Sequence, residues 1–469
     1  MPSPSSFVFT PQDFGAKADG ATHDTAAIQA AVEAAHRARG TVLFPPGRYL
    51  SGTIHLRSHI QFELGYGAVL IGSLEREAYQ RIPETGVPVE GQDSACWYSL
   101  LLGHGLDGVV ITGRGTLNGN GSRLCEAFAH HYPPVGPQKK IDEKYRPLLI
   151  NLVECRRCEV SGLTLEEGAS WMQSYSRCVD LRLENLRVEG ISAWNNDGLD
   201  LCDSREVVIR GCHINAADDG ICLKSTHLPV EDVVISDCVV RSSASGIKCG
   251  TASSQGFRNI SISNVVIFDT ARSGITLQVV DGGTLEQVAV SNVTMRNVGN
   301  AIYLRLGDRS RRNAAHRNVG ALRQVTISNV VAEVTGFDAD AGYPFRAPRH
   351  EPRLNPLPSA IVGLPDAKIE AITLSNIRLL YRGGLHAPES ILTPGNEVPE
   401  SRADYPEYDQ FGELPAWGFY LRHASDIVFR DVRARLEGED VRPGLVQDDV
   451  EGFEVKGCRF EGNEVLTTA

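Results

Sequence analysis

Three acids, Asp197, Asp218 and Asp219, carry the residue types and the spacing most suited to chemistry in this chain. The second and third stand 21 and 22 positions after the first, in a sequence that repeats about every 26 residues. Where strands of successive repeats stack, one repeat along the chain is one step of ~4.8 Å in space, so acids distant in sequence are thrown together. Crowded carboxylates repel, and at least one is expected to hold its proton to higher pH than a free aspartate. A protonated carboxyl beside an ionised one is an acid and base pair. Any one such residue would read as a solvated turn; three on two successive repeats point to catalysis.

The repeat that must position them is read from a column of turn residues: Gly162, Asn185, Gly211, Asp237, Asn264, Asn292, Asn329, Asn376, Asp431 and Gly457. Gly, Asn and Asp tolerate a left-handed backbone, so each marks a sharp turn after a short strand. The next residue is apolar each time: Leu163, Leu186, Cys212, Cys238, Val265, Val293, Val330, Ile377, Val432 and Cys458. Spacings along the column run 23, 26, 26, 27 and 28, widen to 37, 47 and 55, and return to 26. Stacked strands keep their length while loops grow, which predicts an all-β solenoid, a single-stranded parallel β-helix with long loops walling a groove. Leucine-rich repeats need a shorter period and a helical arm, and neither is present.

A second strand in each repeat reads GLDLC from Gly198, GICLK from Gly220, GIKCG from Gly246, GITLQ from Gly274 and AIYLR from Ala301. Its second and fourth positions are apolar, so the third and fifth point outward together. This predicts a groove carrying Lys224, Lys248, Gln278, Tyr303 and Arg305 as substrate-binding side chains, with Asp197 and Asp219 in register at the strand starts. Trp171, 26 residues before Asp197, is one repeat earlier and is expected to offer a sugar-stacking face or to pack in the core.

The alanine and valine spacing from Thr25 to Arg39, after Asp24 and before Gly40, predicts a helix capping the open end of the coil. Its 469 residues are expected to form one domain, since solenoids grow by stacking: cap and first rungs over 10–60, regular catalytic rungs over 100–300, rungs with long insertions over 300–420 and C-terminal rungs over 420–469. A formal charge of −12 argues against nucleic acid, which needs basic surface. No apolar run approaches a membrane span, and the N-terminus lacks a basic stretch followed by an apolar one, so the expectation is a cytoplasmic protein without membrane contact. Several of the eleven cysteines fall in the apolar column and read as core residues. The pair Cys155 and Cys158 lacks a second pair at zinc spacing, so no metal and no cofactor is expected.

WNNDGLDLCDS followed by NAADDGICLKS closely resembles the two acidic signatures of the polygalacturonase-type enzymes, glycoside hydrolase family 28; DFGAKADG, ITGRGTLNGNG and SGLTLEEGASWM are similar to it as well. The resemblance covers most of the chain from about residue 10 to 300. It implies a right-handed parallel β-helix and inverting hydrolysis of glycosidic bonds in pectin-type carbohydrate. Asp218 then matches the general acid, and Asp197 with Asp219 the pair that activates water. The chain departs from the family at three positions. Ser245 stands in place of a histidine, and Thr276 and Gln278 replace the Arg-x-Lys that grips a uronate carboxylate.

Those departures favour a neutral glycone; Lys224, Lys248 and Arg305 are the residues that could rebuild a cationic site for an exo-galacturonidase. Long segments after Asn292, Asn329 and Asn376 either wall the groove into a pocket, favouring an exo-acting enzyme on a short oligosaccharide or glycoside, or seat a second copy of the chain. Arg305, Arg309, Arg311, Arg312 and Arg317 are either pocket lining or a solvated basic loop. A polysaccharide lyase and a noncatalytic carbohydrate-binding β-helix are the alternatives on the same scaffold.

Overall fold

A computed structural model describes residues 7–82, 98–132, 134–136, 139–309, 319–336, 339–346, 354–383 and 398–462. The chain clusters into two compact units, Met1–Asp218 and Asp219–Ala469. Each is a coil of parallel strands.

In the first unit three columns of strands stack in register. One runs through Thr41–Phe44, Gln61–Leu64, Val110–Gly113, Arg156–Ser161, Val179–Glu184 and Arg205–Arg210. A second runs through Gly47–Ser51, Ala68–Gly72, Thr116–Asn118, Thr164–Glu166, Arg187–Gly190 and His213–Ala216. The third, which leads to Asp197, runs through Ile54–His55, Ser99–His104, Leu148–Val153, Gln173–Ser176 and Leu199–Cys202. Every pairing among these strands is parallel, as stacked rungs require.

The turn column holds at each expected position. Asn185, Asp237, Asn264, Asn292, Asn329, Asn376 and Asp431 have φ between 51° and 56°, and Gly162, Gly211 and Gly457 are left-handed too. The apolar residues that follow are buried, except for the half-buried Cys458. In the second unit the asparagine amides form a ladder. Asn292 donates to Asn264 at 3.1 Å, Asn329 to Asn292 at 3.0 Å and Asn376 to Asn329 at 2.8 Å. These steps span 28, 37 and 47 residues of chain, so the insertions leave the rung geometry untouched.

The helix forms over Thr25–Ala38, one residue short of the expected end, because Arg39 takes the left-handed C-cap. Asp24 does not cap it with its side chain. Its carboxylate instead accepts the backbone N–H groups of Lys17 (2.7 Å) and Ala18 (3.0 Å). Gln29 donates to the His55 carbonyl and accepts from the His55 N–H, both at 2.9 Å, closing two edge groups of the strand Ile54–His55. Among the described residues no helix is long and apolar enough to cross a membrane. Cys155 and Cys158 are core residues; their thiols donate to the carbonyls of Val153 and Arg156.

In the second unit the expected register also holds: Cys222 pairs with Lys248, Lys248 with Thr276, Thr276 with Tyr303 and Gln278 with Arg305. The outward rows are not solvent-facing, however. Segment 398–418, the described end of the third insertion, lies over them. Val398, Tyr408, Phe411, Leu414 and Ala416 pack with Tyr303, Leu357, Val362 and Tyr420 as one apolar cluster. Arg311, Arg312 and Arg317, with a part of each of the three insertions, lie outside the described residues.

Candidate active site

In the first unit Asp197 stands just before the strand Leu199–Cys202 and is 4% exposed. The turn before it is fixed by Asn196, whose Oδ1 accepts the N–H groups of Ser192 (3.0 Å) and Ala193 (2.7 Å). Its amide nitrogen donates to the carbonyls of Gly168 (2.9 Å) and Ser170 (2.6 Å), one rung back. With the Ser192 hydroxyl also donating to Oδ1 at 3.3 Å, five hydrogen bonds on one buried side chain leave the aspartate little freedom.

Asp218 is half-buried, and one of its carboxylate oxygens lies within 4.8 Å of one from Asp197. Asn195, left-handed at φ 57°, donates to Asp218 at 3.3 Å. The Asn195 oxygen accepts from Lys140 Nζ at 2.5 Å and Arg146 Nη2 at 2.9 Å. Two cations on one end of the amide polarise the N–H offered at the other. Arg146 is 1% exposed and also donates to the carbonyls of Ala169 and Trp194. Burial lowers its pKa, opposed by Glu143, Cys125, Asp142 and Asp197. Neither Lys140 nor Arg146 stands in the repeat, and no periodic signal marks them.

In the second unit Asp219 is 5% exposed and accepts Lys248 Nζ at 3.0 Å and the Ser245 N–H at 3.1 Å. Burial pushes its pKa up, but the charges of Lys248, Arg272 and Lys224 outweigh that and hold the carboxyl below the ordinary aspartate range. Lys248 is fully enclosed, and its pKa is raised: burial disfavours the ammonium, yet Asp219 and Glu407 more than compensate. Glu407 accepts from Lys248 at 3.3 Å and from Arg272 at 2.6 Å. It comes from the covering segment, as does Tyr405, half exposed, whose hydroxyl accepts from Thr251 at 2.8 Å. The Tyr405 ring lies 5.6 Å from Lys248 Nζ and 5.7 Å from the Arg309 guanidinium. Arg309 in turn is paired with Asp281 at 2.7 Å. Glu407 and Tyr405 were invisible to repeat reasoning because they belong to an insertion.

Three expected substrate contacts are, like Lys248, buried among protein groups. Gln278 is fully buried, donating to Thr276 at 2.9 Å and to the Pro406 carbonyl at 2.5 Å. Arg305 is 1% exposed; its guanidinium donates to the carbonyls of Gly363, Glu400 and Ser401 and lies over Phe411. Tyr303 is buried, and the Gln410 oxygen accepts from its hydroxyl at 2.8 Å and from Arg305 Nε at 3.0 Å. All three point outward as the alternation required, but they hold segment 398–418 rather than facing a ligand. Trp171 is buried, packed with Leu148 and Cys202. Lys224 is half-buried and adds to the field on Asp219. Ser245, in place of the family histidine, is buried, and its hydroxyl has no hydrogen-bond partner among the described residues.

A model of the family described as Glycosyl hydrolases family 28 matches residues 85–341, and one described as Rhamnogalacturonase A/epimerase, pectate lyase-like matches residues 9–74. A probable polygalacturonase of Vitis vinifera is 28% identical over 319 residues, covering 62% of this chain and 61% of that protein. An exopolygalacturonase of Zea mays is 24% identical over 326 residues, 61% of this chain and 74% of that protein. The chain thus spans less than two thirds of the grape protein's length. Among solved structures, a hyperthermoactive exopolygalacturonase from Thermotoga maritima superposes with a TM-score of 0.64 at 18% identity, covering 92% of both chains. The Yersinia enterocolitica family 28 exopolygalacturonase gives 0.63 at 17% identity, covering 98% of this chain and 79% of that one. The fold is their right-handed parallel β-helix. Since the family model spans more than half the chain and runs through both acidic turns, the chain belongs to family 28 of the glycosyl hydrolases.

Proposed function

We propose that the protein hydrolyses O-glycosidic bonds with inversion, removing the terminal sugar from a short oligosaccharide or glycoside of pectic origin. The observation that carries this reading is the approach of Asp197 and Asp218 within 4.8 Å in the first unit. Two carboxylates this close do not ionise independently, which supports Asp218, the more accessible, as the protonated acid that protonates the leaving oxygen. Asp219, next in the chain, is held ionised by Lys248, Arg272 and Lys224, which supports the base role that the family resemblance implies for it. That oxygen spacing is tighter than the ~6.5–9.5 Å between carboxyl groups of most inverting enzymes. Inversion is therefore supported by the family resemblance and not by this distance.

Exo action is supported by segment 398–418, which closes over the outward rows, and by exopolygalacturonases among the relatives. A neutral glycone is supported by the fate of the cations: Lys248 and Arg305 are already occupied by protein oxygens, and Thr276 and Gln278 replace the uronate clamp. An exo-galacturonidase using Lys224 is the second reading, favoured by the polygalacturonase names of the relatives. A β-helix lyase would need a bound divalent cation, so activity surviving chelator counts against it. The decisive test follows the first product of cleavage by proton NMR in wild type and Asp218→Asn. Inverted product, with turnover in the folded variant lower by roughly 10²–10⁴, is expected of a lost general acid. Retained configuration, or near wild-type turnover in the variant, would overturn the assignment.

A further inference from the structure

Glu407 places a carboxylate of the protein's own where two cations converge. Its Oε1 accepts from Arg272 Nη1 at 2.6 Å and Lys248 Nζ at 3.3 Å, and Lys248 also binds Asp219 at 3.0 Å. The Lys248, Glu407 and Arg272 side chains are 1%, 10% and 13% exposed. Water therefore screens little of this cluster, and an unmatched charge within it would be costly. The half-exposed Tyr405 stands two residues before Glu407, its ring 5.6 Å from Lys248 Nζ, an aromatic face of the kind on which a sugar stacks.

From this geometry we infer that Glu407 is the specificity-determining residue of the site. It is a built-in stand-in for a uronate carboxylate, satisfying Lys248 and Arg272 so that an acidic sugar finds them spent and meets a like charge instead. The inference rests on the glycosidase reading for its meaning but not for its test. Specificity here is the repulsive kind: Glu407 gives a neutral sugar no particular reward, and it makes a charged one pay for displacing or facing a carboxylate. The insertion that delivers it is also the one pinned down by Gln278 through Pro406 and by Arg305 through Glu400 and Ser401, so the carboxylate is held and not merely tethered.

The experiment measures binding, so it does not require a known substrate. D-galacturonate and D-galactose, which differ in bearing a carboxylate or a hydroxymethyl group at C6, are titrated calorimetrically into the full chain and into Glu407→Ala and Glu407→Gln. Wild type is expected to show no preference for galacturonate. Glu407→Ala is expected to bind it at least roughly tenfold more tightly than galactose, since a carboxylate then refills a vacated cationic pair. Glu407→Gln, nearly isosteric, keeps the segment in place and is expected to shift the same way should the alanine variant fold poorly. Equal affinities for the two sugars in both variants, or a tenfold galacturonate preference already present in wild type, would overturn the proposal. Failure of the glycosidase reading would show separately, as absence of any hydrolysis with the binding shift intact.

Discussion

At the scale of single residues, the pairing of Asp219 with Lys248 makes a pH-dependent contribution whose sign is fixed by the two shifts. The lowered folded pKa of Asp219 gives stability that is present above the ordinary carboxylate pKa and lost as pH falls through the folded value. The raised pKa of Lys248 gives stability that is present below the ordinary lysine pKa and lost as pH rises through its folded value. Between those limits the pair is intact. Lys248→Met should therefore cost about 3–5 kcal/mol near neutrality, since it strands a buried carboxylate. The cost should shrink only at a pH below the folded pKa of Asp219, itself under the ordinary aspartate range, where that carboxyl is protonated in the folded and unfolded states alike. Denaturant unfolding of both proteins at the two pH values checks this, and an equal cost at both would show that packing of the lysine stem, not its charge, is what is lost.

At the scale of elements, what could be read from the chain and what could not divide along a physical line. Asn292, Asn329 and Asn376 announce themselves because a left-handed turn admits few residue types, and Ile247, Ile275 and Ile302 because every rung must fill the same interior. Alternation then orients Gln278, Tyr303 and Arg305 outward correctly. Their burial was not legible, since segment 398–418 has no period and contributes its groups through tertiary packing alone. Arg442 shows how firmly that segment is held: it donates to the carbonyls of Leu414 (3.0 Å) and Pro356 (2.8 Å) while paired with Asp440 at 2.7 Å, both side chains fully buried. Removing the guanidinium leaves Asp440 uncompensated and two carbonyls without their donor. Arg442→Met should accordingly lower stability by about 3–5 kcal/mol. Limited proteolysis should then cut first within 398–418, and a wild-type cleavage pattern at unchanged rate would mean that the apolar cluster around Tyr303 and Phe411 suffices to seat it.

At the scale of the whole molecule, each coil of stacked rungs gains stability from neighbour to neighbour, and its weak points are strand edges without a next rung. The last rungs are blunted by charge. The strand Leu445–Lys456 carries Asp448, Asp449, Glu451 and Glu454, and Lys368 bridges to Asp449 at 2.8 Å and Glu451 at 2.6 Å. The first rungs are covered by the helix Thr25–Ala38, which buries Ile28, Ala31, Val32 and Ala35 and closes the edge of Ile54–His55 through Gln29. Ile28 is fully buried, so Ile28→Asp puts an unpaired carboxylate beneath the helix, a cost that unseats it before it disturbs distant rungs. A freed edge offers its N–H and C=O groups to another chain. The variant should therefore keep the circular dichroism of its strands yet aggregate by light scattering at a temperature below that of wild type, with Gln29→Ala shifting the onset the same way by a smaller amount. If Ile28→Asp scatters at the wild-type temperature while its helix signal is lost, the helix does not guard that edge, and some other feature of the first rungs keeps the chain from associating.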